Sequence, residues 1–165
     1  MNVMKLDFCT GALSIGNNEL NIDGYDKFIA SDLFKNNTQL KKWGRFYFIL
    51  PEVSWLGGGF YLEIRPSVNN IPPCIYMIDR DSNFFQSLND WNKRADLSMI
   101  KKEESRLIQW MRDHIKGGNE RAVTNPPYGV EWVYEWGTIS VQCNTHTFDC
   151  GTYITWNDAK GVISK

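Results

Sequence analysis

The last third of the sequence carries the pattern that constrains the fold most. Between residues 139 and 156, apolar residues alternate with polar ones on both sides of a short polar segment. Folding the stretch about the middle of that segment places Ile139 opposite Ile154 and Cys143 opposite Cys150. Successive strand residues point to opposite faces, so both apolar sets then lie on one face. The pattern predicts an antiparallel β-hairpin.

Two cysteines and a histidine in this hairpin raise the question of a metal or redox site. A zinc site generally uses four ligands, whereas this segment offers at most three, with His146 in the turn. Cys9 and Cys74 stand alone elsewhere in the sequence. The first residues show no export signal, so we expect Cys143 and Cys150 to be reduced, buried thiols. A zinc site and a cross-strand disulfide are the alternatives.

Candidate catalytic groups are few. A Cys–His pair needs hydrogen-bond reach and a third, orienting group, and the chain has only two histidines. Asp79 and Asp81 flank one arginine and could hold a divalent cation, although a turn followed by a helix cap predicts the same residues. We therefore expect no catalytic residue, no metal and no cofactor. The enzymatic alternative is a small metal-dependent hydrolase or nuclease that uses Asp79, Asp81 or His146.

The rest of the sequence predicts an α+β fold. Alternation bounded by glycine and proline indicates extended structure over residues 1–22 and strands at 45–50, 60–65, 74–78 and 130–136. Helical spacing predicts a short helix over residues 25–37 and helices over 82–116, ended by Gly117 and Gly118. No linker or repeat divides the sequence. We predict a single globular domain over residues 1–165, mainly an antiparallel sheet of six to eight strands, with the 82–116 helices packed on one face.

Composition bounds the partners that the protein can attract. The formal net charge is −1, which gives no broad attraction for nucleic acid or anionic lipid. No apolar run is long enough to span a membrane, and no cleavable leader is visible. We expect a cytoplasmic protein that contacts neither membrane nor nucleic acid directly. Aromatic residues make up 14% of the sequence, and such residues dominate both protein cores and interface hot spots.

Three segments carry a resemblance to a known family. They are Phe-Cys-Thr-Gly-Ala-Leu-Ser-Ile-Gly (8–16), Lys-Phe-Ile-Ala-Ser-Asp-Leu (27–33) and Tyr-Glu-Trp-Gly-Thr-Ile-Ser (134–140). In these segments the sequence resembles the small immunity proteins encoded beside bacterial contact-dependent growth inhibition toxins and other polymorphic toxins. The likeness covers about the first 35 and the last 35 residues. The hairpin tip, Asn-Thr-His-Thr-Phe, departs from the Lys-Ser-Gly-like tip of that family.

The resemblance implies a protein that binds one cognate toxin domain, in a one-to-one complex, and neutralises it by occluding its active site or substrate surface. Many such toxins are nucleases with basic clefts, so acidic and aromatic side chains are the candidate contacts. These are Glu131, Glu135, Trp132, Tyr134, Asp149, Tyr153, Asp79 and Asp81. A generic adaptor or ligand-binding domain, with an aromatic-lined pocket, is the remaining alternative.

Overall fold

The computed structural model describes residues 2–157 and places their strands in a single sheet of eleven strands, with five helices. The strands are β1 (Asn2–Leu6), β2 (Leu13–Ile15), β3 (Asn18–Glu19), β4 (Lys41–Trp43), β5 (Tyr47–Trp55), β6 (Gly58–Arg65), β7 (Cys74–Asp79), β8 (Asn119–Ala122), β9 (Gly129–Val133), β10 (Gly137–Asn144) and β11 (Asp149–Trp156). The helices are α1 (Tyr25–Ile29), α2 (Asp32–Asn36), α3 (Asn83–Gln86), α4 (Trp91–Arg94) and α5 (Leu97–His114).

The sheet is antiparallel except at one pair of strands. Its order is β3-β2-β1-β5-β6-β7-β11-β10-β9-β8, with β4 also paired to β5. The parallel pair is β1 with β5. This architecture confirms the predicted α+β class. The strand number exceeds the predicted six to eight because β3, β4 and β8 have two to four residues each, too few to produce a visible alternation.

Helices α1 and α5 pack on the same face of the sheet. A row of directly opposed residues crosses seven strands on that face: Phe48, Ile64, Ile75, Ile154, Ile139, Trp132 and Glu120. At one end, the Phe28 ring of α1 lies 4.6 Å from the Phe48 ring. At the other end, Arg112 of α5 donates to Glu120 at 2.8 Å. Opposed residues share a face, so α1 and α5 cover the same side of the sheet.

Helix α5 supplies most of the helical layer. Its Ile100, Leu107 and Met111 are at most 2% exposed, and their spacing places them on one side of an α-helix. Burying each such side chain stabilises the fold by about 1.5–3 kcal/mol. The sequence-predicted packing of the 82–116 segment on one face is confirmed. The segment contains three helices, because Ser82, Asp90 and Asp96 each cap a new start.

The terminal hairpin has the predicted register. Ile139 pairs with Ile154 and Cys143 with Cys150, and all four side chains are buried. The expectation of two reduced thiols is wrong, since Cys143 and Cys150 form a disulfide. Their directly opposed positions bring the two sulfur atoms within bonding reach. Cys9 and Cys74 are free cysteines.

The predicted strand over residues 130–136 ends earlier than expected, at Val133. Trp136 therefore lies in a turn, where its indole N–H donates to the Phe8 carbonyl at 2.9 Å. Trp156 of β11 donates similarly to the Gly11 carbonyl at 2.8 Å. Gly11 has φ +79°, and a Cβ there would meet the Trp136 ring at 2.5 Å. The two tryptophans thus hold the loop that follows β1 against the C-terminal strands.

Candidate functional site

The side of the sheet opposite the helices carries a row of mostly polar and aromatic residues. Residues adjacent in sequence to the row that faces the helices point to the opposite side of the sheet. They form a row with one residue from each of eight strands: Lys41, Ile49, Glu63, Tyr76, Tyr153, Ser140, Glu131 and Arg121. A second row on the same side holds Trp43, Tyr47, Arg65, Cys74, Thr155 and Thr138. We call these two rows the open face. Phe85 of α3 contacts Tyr61 of β6, with ring centroids 6.1 Å apart.

The centre of the open face is an arginine surrounded by tyrosine rings. The Arg65 guanidinium lies 4.9 Å from the Tyr47 ring centroid, 5.4 Å from that of Tyr76 and 5.9 Å from that of Tyr153. Tyr76 and Tyr153 stack on each other at 4.8 Å. The Arg65 Nε–H donates to Glu63 Oε1 at 2.7 Å. These five residues form the arginine–tyrosine cluster.

Local packing explains why the cluster is ordered. Tyr76 is 8% exposed, and its ring covers Gly151, where a Cβ would lie 2.3 Å from Tyr76 Cε2. The Tyr76 hydroxyl lies 3.4 Å from the Cys150 carbonyl, to which it donates. A glycine at position 151 therefore leaves the space that the Tyr76 ring occupies. Cation–π contacts of this kind stabilise by about 0.5–2 kcal/mol each.

The protonation states in the cluster follow from its burial. Burial raises the pKa of Tyr76 and of Tyr153 above the usual value for tyrosine. Burial lowers the pKa of Arg65, but the charge and hydrogen bond of Glu63, together with Cys74 and Tyr153, outweigh burial, so that the pKa lies above its usual value. Burial also raises the pKa of the Cys74 thiol, an effect that Arg65 partly offsets. The cluster therefore presents neutral hydroxyls around a permanent guanidinium cation.

The outer end of the open face is aromatic and exposed to solvent. Trp43 is 59% exposed and Tyr47 is 39% exposed, on the adjacent strands β4 and β5. Going toward the opposite edge, Glu131 is paired with Arg121 at 2.6 Å. The combination of Trp, Tyr and Arg with few unpaired charges is the composition that distinguishes protein-binding surfaces from the rest of a protein surface.

Two of the sequence-predicted contact residues lie on the open face, and Trp132 does not reach the surface. Tyr153 and Glu131 belong to the first row. Trp132 is 4% exposed on the covered face and donates its indole N–H to Glu120 at 3.2 Å. As a core residue, Trp132 offers no contact area to a partner.

The other predicted contacts are dispersed over the molecule. Tyr134 donates its hydroxyl to the Lys116 carbonyl at 2.8 Å, next to the end of α5. Asp149 forms an ion pair with Arg94 near the hairpin tip. Glu135 is exposed in the turn between β9 and β10. Tyr134 and Glu135 follow β9, whereas Asp149 lies at the opposite end of β10 and β11, so the predicted contacts do not assemble into one acidic patch.

Asp79 and Asp81 lie at the end of β7, beside helix α5. Asp79 Oδ2 is 2.8 Å from an Nη of Arg106, and the same guanidinium bonds Glu103, whose side chain is 5% exposed. Asp81 is one of the residues that line an adjoining cleft of about 400 Å³. Within residues 2–157, no group of three or more His, Cys, Asp or Glu side chains is arranged to hold a metal ion. Asp79 thus neutralises an arginine, and His146 is exposed at the hairpin tip.

Sequence reasoning missed Arg65, Tyr47, Trp43 and Tyr76. A signal was present in β6, where Tyr61, Glu63 and Arg65 alternate with Leu62 and Ile64. Period-two alternation assigns the polar set to the face opposite the core. The sequence predicted helices on one face of the sheet, but the alternation in β6 did not reveal that Arg65 would meet Tyr47 and Tyr76 on the other face.

No family model matches the sequence, and neither a curated protein nor a solved structure matches it. Across the part of the chain that the structure describes, no helix combines the length and the apolar character needed to cross a membrane. Function is therefore inferred from the geometry of the open face and from the resemblance carried by the sequence motifs.

Proposed function

We propose that this chain is a cytoplasmic immunity protein that binds one cognate toxin domain through its open face and neutralises it by occlusion. The observation that carries the proposal is the arginine–tyrosine cluster at the centre of a sheet face opposite the helices. The sequence resemblance supplies the class of partner. The partner's activity as a nuclease stays a prediction. A basic nuclease cleft would favour an acidic surface, whereas Glu63 and Glu131 on the open face are each paired with an arginine.

The size of the open face limits the area that a partner can bury there. Eight strands about 4.8 Å apart span about 35 Å, and the two side-chain rows, about 7 Å apart, cover about 14 Å along the strands. The resulting area is about 500 Å², smaller than the roughly 800 Å² that each partner buries in a specific complex of standard size. A one-to-one complex of standard size would therefore also include residues that border the open face.

The charge pattern favours a protein over a nucleic acid. Glu63 lies 2.7 Å from Arg65, and Glu131 lies 2.6 Å from Arg121. A nucleic-acid surface carries several unpaired cations that neutralise successive phosphates. Here each of these arginines has a carboxylate beside it, so a polyphosphate backbone would meet both signs of charge along the row.

The test is co-expression with the gene next to the one that encodes this protein. We expect the neighbouring product to stop growth when it is expressed alone and to be harmless when this protein is present. The purified pair should elute as a one-to-one complex in size-exclusion chromatography with light scattering. Degraded DNA or RNA in the arrested cells would support the nuclease prediction. Normal growth with the neighbouring product alone, together with no complex, would contradict the proposed function.

A further inference from the structure

Arg65 is held in place before any partner arrives. Three tyrosine rings surround its guanidinium at 4.9–5.9 Å, and Glu63 fixes the Nε end. Its side chain is 28% exposed, so a partner can reach part of it while the neighbouring side chains restrict its movement. An arginine whose orientation is already fixed loses little conformational entropy when it binds.

The guanidinium retains donors for an external group. Arginine has five N–H donors, and Glu63 accepts from the one on Nε. Within residues 2–157, neither terminal Nη group of Arg65 donates a hydrogen bond to an oxygen atom. By contrast, an Nη group of Arg94 and one of Arg112 each donate to a carboxylate. The pair of Nη groups is the edge that accepts a carboxylate in the two-bond, planar arrangement.

We propose that Arg65 binds a carboxylate of the partner protein, from an Asp, a Glu or the terminal carboxyl group, at the centre of the open face. The inference rests on the proposed function and names the chemistry by which that same surface recognises its partner. The exposed Tyr47 ring lies beside Arg65 in the second row, and the exposed Trp43 lies beside Tyr47, so these rings would help to exclude water from the ion pair once the partner docks. The Coulomb attraction within an ion pair is stronger where aromatic neighbours exclude water.

One carboxylate fits this site better than a polyanion does. Glu63 already cancels the charge of Arg65 to first order, so a run of phosphates would be repelled at Glu63 after its first contact. A single carboxylate that approaches the Nη edge stays on the far side of the guanidinium from the Nε–Glu63 bond. Protein partners present such isolated carboxylates, and nucleic acids do not.

The experiment measures binding of the neighbouring gene's product to purified variants of this protein. Arg65→Lys keeps the charge but removes the planar pair of donors, and we expect the Kd to rise at least tenfold. Arg112→Lys is the matched control, since Arg112 pairs with a glutamate on the helical side of the molecule, and its Kd should change less than twofold. Thermal unfolding of each variant verifies that it is folded. Wild-type affinity in the Arg65→Lys variant would overturn the inference and leave the proposed function intact.

Photo-crosslinking locates the surface without changing Arg65. A benzophenone amino acid at position 47 should crosslink to the neighbouring product. The same group at position 109, an exposed site on α5, should not. Crosslinking from position 109 alone would overturn the inference. A single-stranded oligonucleotide that binds the wild type and not Arg65→Lys would also overturn it, in favour of a nucleic-acid site. If the wild type does not bind the neighbouring product at all, the proposed function fails and this inference fails with it.

Discussion

Gly151 is the residue on which the arginine–tyrosine cluster depends most directly. Replacing it with alanine places a Cβ 2.3 Å from Tyr76 Cε2 and 2.7 Å from the Met77 carbonyl. The ring must move, so we expect Gly151→Ala to lower the free energy of unfolding by about 1–3 kcal/mol. Gly59→Ala is the control, because a Cβ there meets nothing within 4 Å. Urea unfolding of both variants measures the difference, and equal losses would show that Tyr76 does not rest on Gly151.

Tyr134 gives the molecule a pH dependence in alkali. Burial raises the pKa of Tyr134 to about 12, against about 10 in an unfolded polypeptide. Between these values the unfolded state has released the proton and the folded protein still holds it, so stability falls as the pH rises from about 10 toward 12. Tyr134→Phe should flatten part of that fall. Urea unfolding at a series of pH values measures the slope. An unchanged slope in Tyr134→Phe would contradict the assignment.

At the scale of the elements, the sequence predicted the strands and helices whose hydrophobic pattern is visible within one short segment. The hairpin of β10 and β11 was predicted to the residue because alternation and turn length fix the register together. Strand β8, Asn-Glu-Arg-Ala, was missed because all four residues are exposed, and a wholly polar edge strand has no alternation. The disulfide was predicted only as an alternative to reduced thiols because the expected cytosolic setting weighed against it, although the predicted register already placed the two cysteines opposite each other.

The start of α5 depends on its N-cap. The Asp96 carboxylate accepts hydrogen bonds from the backbone N–H groups of Ser98 at 2.9 Å and Met99 at 3.3 Å. Because α5 is the longest helix among the described residues and covers the sheet, Asp96→Ala should lower the free energy of unfolding by about 0.5–2 kcal/mol. Asp96→Asn keeps a capping oxygen and should lose clearly less. Chemical denaturation of the two variants decides the matter, and an equal loss would mean that charge, not capping, holds this end of the helix.

At the scale of the whole molecule, the proposed function rests on the asymmetry between the two sides of one sheet. Sequence predicted Tyr153 and Glu131 as contacts, and both lie on the open face. It did not predict Arg65, because the face that stays uncovered is decided by where distant helices pack. Residues 65, 76 and 153 become neighbours only after β6, β7 and β11 have paired. Such a cluster cannot be read from spacing along the sequence.

The helical layer is joined to the sheet by a three-residue ion cluster. Arg106 of α5 binds Glu103 on its own helix and Asp79 at the end of β7. Removing the arginine leaves Glu103, 5% exposed, with a charge that has lost its partner. A buried charge without a partner is costly, so Arg106→Ala should lower the free energy of unfolding by about 2–3 kcal/mol.

Arg112 on the same helix separates this burial effect from the loss of any helical arginine. Its partner Glu120 is 40% exposed, and water can solvate that carboxylate once the pair is broken. Arg112→Ala should therefore cost much less than Arg106→Ala in the same urea titration. Adding Glu103→Gln to Arg106→Ala removes the uncompensated charge and should restore part of the lost stability. A double variant no more stable than Arg106→Ala alone would show that packing of the arginine stem, and not its charge, joins the two layers.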